Sequence, residues 1–76
     1  MQTAYPEKYK TLGLKIAYYR KKIGFTQEAF AEKVGISVNF LAQVEGPSTV
    51  RGVSLETLFK MAEVLQISAA KLLEED

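Results

Sequence analysis

The chain has no cysteine and no histidine. That excludes disulfide staples, thiol nucleophiles, imidazole acid–base chemistry and zinc sites built on those ligands. Its apolar runs are only a few residues long, far short of the roughly 20 a membrane-spanning helix needs. The first ten residues, MQTAYPEKYK, lack the apolar centre of a secretory signal. No strong charge of one sign is present either, since the net charge is only +1. Seventy-six residues are expected to make one domain, 1–76, with no room for a deep catalytic cleft. Serines and carboxylates occur, but nothing assembles them into a catalytic constellation, a phosphate-binding loop or a metal cluster. The expectation is therefore a non-enzyme without cofactor, metal or small-molecule ligand, working in a reducing cytoplasm.

What is present is helical patterning. Hydrophobic residues make up 47% and charged residues 25% of the chain, ordinary values for a globule. The charges are segregated: residues 1–33 carry a net +4 and residues 34–76 a net −3. Leu12, Ile16, Tyr19 and Ile23 fall on one stripe of a first helix expected over about residues 7–22. Pro6 suits its first turn and Gly24 its left-handed stop. Thr26, Ser37, Ser54 and Ser68 are placed to cap four further helices. Leu55, Leu58, Phe59, Ala62 and Leu65 form a stripe on the fourth. Leu72 and Leu73 are the expected anchors of a short fifth helix, and the acidic residues 74–76 are expected to fray. Residues 46–53, GPSTVRGV, read as a loop. The fold class is thus all-α, a compact five-helix bundle.

Residues 26–46, TQEAFAEKVGISVNFLAQVEG, carry the strongest signal. Two short helical patterns flank Gly35, which tolerates the positive φ of a tight turn. Ala31 supplies the small side chain that a steep helix crossing requires. Phe30, Val34, Ile36, Leu41 and Val44 sit at inward offsets. Val38, Asn39, Ala42 and Gln43 point away, with Asn39 and Gln43 at i, i+4 on one face. This is the spacing of a helix-turn-helix.

TQEAFAEKVGIS…FLAQVEG resembles the Cro/cI-type helix-turn-helix of phage repressors and their bacterial relatives, the XRE family with its lambda-repressor-like domain. The flanking GLKIAYYRKKIGFTQ and SLETLFKMAEVLQIS are typical of the same family, so the resemblance covers about residues 12–73. It implies a sequence-specific, repressor-like transcriptional regulator, bacterial or phage-encoded, that binds double-stranded DNA. The third helix would enter the major groove while the second crosses the backbone. Carried over, Gln27 matches a phosphate-holding glutamine at the start of the second helix, capped by Thr26. Val38, Asn39 and Gln43 match base-facing positions, and Ser37 and Phe40 positions near the sugar-phosphate edge. Arg20 and Glu45 match an ion pair tying the first helix to the end of the third. A homodimer is implied, with Ile67, Leu72 and Leu73 as its expected apolar surface.

The side-chain chemistry of the reading positions favours A·T pairs. Asn and Gln amides pair bidentately with adenine N6 and N7, and valine methyl groups suit the thymine methyl. Three features depart from the family pattern. The third helix has no Lys or Arg, Phe40 replaces a frequent tyrosine, and the 46–53 loop offers only Arg51 as a base. Few phosphates would be neutralised, so a dimer should show a log–log salt slope of about −4 to −6, at about −0.9 per phosphate. The same departures motivate an alternative: a protein-interaction module, such as an antitoxin or antirepressor-type partner, using Val38 and Phe40 as a sticky surface.

Overall fold

Short local signals set the helix ends in the computed structural model, which describes residues 2–74. Pro6 opens α1 (Pro6–Ile23), and Gly24 closes it at φ 96°, its N–H bonding to the Arg20 and Lys21 carbonyls. A left-handed residue there satisfies carbonyls that no helical N–H can reach. Thr26 caps α2 (Gln27–Val34), its Oγ1 accepting from the Ala29 N–H at 3.1 Å. Gly35, at φ 89°, ends that helix and makes the turn. Ser37 caps α3 (Val38–Glu45) by accepting from the Phe40 N–H at 3.0 Å. Ser54 caps α4 (Leu55–Leu65) by accepting from the Thr57 N–H at 3.1 Å. Each such cap contributes about 1 kcal/mol.

The fifth cap differs from expectation. Ser68 stands at the N-cap of α5 (Ala69–Leu73), but its hydroxyl makes no capping bond. Only the main chain closes this turn, through the Lys71 N–H and the Ser68 carbonyl. The stop of α4 is also unusual. Gln66 takes the left-handed conformation at φ 60°, ψ 39°, a role for which glycine has no steric penalty.

All five helices contribute to one core: Leu12 and Ile16 from α1, Phe30 and Ala31 from α2, Leu41 and Val44 from α3, and Leu58, Met61, Ala62 and Leu65 from α4, with Leu72 from α5. Val34, Ile36, Tyr19 and Phe40 pack against it from the side. Four expected anchors lie outside it. Ile23, the last residue of α1, is exposed. On α4 the buried face is centred on Leu58, Met61, Ala62 and Leu65, spaced i, i+3, i+4, i+7, so Leu55 and Phe59 fall on its flank and are exposed. Adjacent residues on a helix point about 100° apart. In α5, therefore, Leu72 is buried and Leu73 is left in solvent. The expected apolar surface of Ile67, Leu72 and Leu73 is corrected accordingly: Leu72 is only 1% exposed and Ile67 packs on the core. Of the residues expected to fray, Glu74 is the C-cap of α5, and 75 and 76 lie outside the described residues.

Gly13 positions α3. It is buried within α1, and a β-carbon there would run into the main-chain carbonyl of Val44. The two helices cross backbone to backbone at this point. α3 packs against α1 and α2 on its inner side. Its outer side is left to solvent.

Candidate nucleic-acid interface

The outer side of α3 follows from its eight-residue pattern. Leu41 and Val44 turn inward and Phe40 packs at the edge of the core. Val38, Asn39 and Ala42 are therefore exposed and Gln43 is half-buried beside them. Two rows result, Val38 with Ala42 and Asn39 with Gln43, each at i, i+4. One row presents methyl groups and the other amides. Ser37 and Thr26 are exposed, each with its oxygen accepting a cap bond and its hydroxyl proton still available to donate.

Arg20 and Glu45 form a bidentate pair, Nε to Oε2 at 2.8 Å and Nη2 to Oε1 at 2.9 Å. Both residues are buried, and the Arg20 Nη1 also donates to the Phe25 carbonyl at 2.8 Å. Each buried charge is thus paired and hydrogen-bonded, the condition under which burial is tolerable. The pair ties α1 to the last residue of α3.

Gln27 joins this network. Its Nε2 donates to the Glu45 Oε1 at 3.0 Å. The side chain is half-buried, and this bond uses one of its two amide protons. The family resemblance matched Gln27 to a phosphate-holding position but did not reveal this tether. Gln27 is the first residue of α2 and Glu45 the last of α3, and no spacing in the sequence signals their contact.

Arg51 lies in the loop between α3 and α4, yet the fold brings it to α3. Its guanidinium Cζ sits 5.0 Å from the centroid of the Phe40 ring. These two residues are eleven positions apart, and no sequence pattern links them. Other cations are held in a similar way: the Lys22 Nζ lies 5.8 Å from the Tyr18 ring and the Lys33 Nζ 5.7 Å from the Phe25 ring. Tyr18 also meets Tyr19 edge to face at 5.1 Å. Tyr18 is thereby engaged with both Tyr19 and Lys22. Among the described residues, no cluster of acidic side chains has metal-ligand geometry, and no helix is long and apolar enough to cross a membrane.

Comparison with known proteins gives a consistent result. The helix-turn-helix family HTH_3 matches residues 16–72. An uncharacterized HTH-type transcriptional regulator of Bacillus subtilis, YazB, is 38% identical over 60 residues, covering 79% of this chain and 84% of YazB. The HTH-type transcriptional regulator SinR of the same organism is 33% identical over 64 residues, covering 84% of this chain. The match takes in just over half of SinR, 57% of its length. A crystal structure of SinR, a master regulator for biofilm formation, in complex with DNA superposes at a TM-score of 0.76 with 32% identity, covering 83% of this chain and 98% of that one. The restriction-modification controller protein C.AhdI from Aeromonas hydrophila superposes at 0.79 with 27% identity, covering 87% and 97%.

Proposed function

From the premise that this chain belongs to the helix-turn-helix family HTH_3 and is a DNA-binding transcriptional regulator, we propose that α3 reads base edges in the major groove of duplex DNA as a repressor-like, sequence-specific element. The observation that carries this reading is the outer face of α3, where Asn39 and Gln43 stand in one row and Val38 in the next, backed by a fully packed inner face. Asn39 and Gln43 pair with adenines, and Val38 contacts a thymine methyl. Gln27, fixed by Glu45, donates its remaining amide proton to a phosphate across the groove. Thr26 and Ser37 donate their hydroxyl protons to the backbone, and Arg51 neutralises one phosphate.

The regulator acts as a homodimer on a roughly palindromic operator, with two recognition helices about 34 Å apart. Such a target places it in the cytoplasm of a bacterial host. Substitution tests the assignment. Asn39→Ala and Gln43→Ala should each weaken binding to the preferred duplex by about 1–3 kcal/mol and relax selection at one base pair, with thermal stability unchanged. Binding indifferent to both changes would move the function to the protein-interaction reading, with the exposed Val38 as part of the contact.

A further inference from the structure

We infer that Phe40 is a positioning residue, whose ring holds the Arg51 guanidinium in place for a backbone phosphate before DNA arrives. This rests on the reading of α3 as the major-groove element. Phe40 has no hydroxyl and offers no hydrogen bond to DNA itself. One part of its side chain packs against the core, so the ring is anchored by the fold. Over that ring lies the Arg51 guanidinium, 5.0 Å from the centroid, inside the range of a cation–π contact.

The chemistry suits a phosphate contact. A guanidinium held over a ring face by its charge spends none of its N–H groups as hydrogen bonds to the ring's substituents, and a phosphate can take them. Arg51 itself is exposed, and its loop has no other basic residue. An exposed arginine on a loop would ordinarily lose much of its rotamer freedom on binding; one already resting on a ring loses less. α3 carries no Lys or Arg, so the cations that flank it along the chain are Lys33 and Arg51, and of these Arg51 is the one held against a side chain of α3. A residue that only filled space at the edge of the core would stabilise the fold without coupling to Arg51.

The test is a double-mutant cycle on the full chain, using a short duplex recovered by selection from random DNA. Arg51→Gln should reduce the steepness of the log–log salt dependence by about 0.9 per subunit. Phe40→Leu should weaken binding about two- to fivefold, and should add no further loss when Arg51 is already glutamine. Phe40→Tyr, which keeps the ring and adds a hydroxyl, should bind at least as tightly as the parent. An equal loss from Phe40→Leu in both backgrounds, or a Phe40→Tyr variant as weak as Phe40→Leu, would overturn the assignment while leaving the DNA-reading function standing. If Phe40→Leu does not fold, the parent protein decides: Arg51 side-chain proton resonances shifted upfield by the ring support the contact, and unshifted ones overturn it. A parent chain that binds no duplex at all would overturn both readings together.

Discussion

Replacing Gly13 with alanine separates helix propensity from tertiary packing because the two predict opposite signs. Glycine inside a helix costs about 1 kcal/mol relative to alanine, so the substitution would stabilise an isolated α1 by that amount. In the folded chain the new β-carbon meets the Val44 carbonyl, a main-chain group that cannot rotate away. α1 and α3 must then separate at their crossing, loosening contacts around the buried Leu12, Ile16, Leu41 and Val44. Overpacking of this kind costs about 1–3 kcal/mol, and an immovable partner puts it near the upper end. The net effect should be a destabilisation of about 2 kcal/mol. For a domain this small, that lowers the melting temperature by about 8–16 °C, at about 4–8 °C per kcal/mol. Thermal unfolding followed by circular dichroism measures it directly. A Gly13→Ala chain that melts at or above the parent temperature would refute the close crossing of α1 and α3.

Glu45→Ala should be more damaging, costing about 3–5 kcal/mol, because it strands the buried Arg20 guanidinium. Against a total stability of about 4–11 kcal/mol for this length, much of the population should unfold in mild urea; a midpoint close to the parent's would contradict the buried pair. Replacing Arg20 and Glu45 together with apolar residues of similar size should recover most of the loss. Gln66→Gly should stabilise by about 0.5–1 kcal/mol, since relief of left-handed strain outweighs the added freedom of the unfolded chain. Its signature is a melting temperature a few degrees higher, and a decrease would argue against that strain.

Local chemistry was legible in the sequence wherever one residue type is required within a few positions. Gly24 and Gly35 take positive φ, and Thr26, Ser37 and Ser54 cap helices, because each of those roles is decided inside a single turn. The order of five helices and the inward set of the helix-turn-helix followed from periodicity. Features that depend on a second element were less visible. Periodicity could not choose between Leu72 and Leu73, because a five-residue helix has too little length to define a face. The stripe on α4 was displaced toward Leu55 and Phe59 for a related reason: hydrophobicity alone did not reveal that α1, α2 and α5 all pack over the Met61 side. Gly13 looked unremarkable until its neighbour was the Val44 carbonyl. At the interface, resemblance supplied Arg20 with Glu45, whereas the Gln27 tether and the Arg51–Phe40 cation–π contact depend on side-chain conformations that no spacing encodes.

Selection of bound sites from random duplex DNA, at about 100 mM salt where unspecific phosphate binding is reduced, tests the central claim most directly. An enriched inverted repeat is expected, with half-sites about one helical turn apart and A·T pairs favoured at two or more positions in each. Recovery of no enriched sequence, or of uniformly G·C-rich half-sites, would contradict the reading of Asn39, Gln43 and Val38 as the residues that recognise the operator.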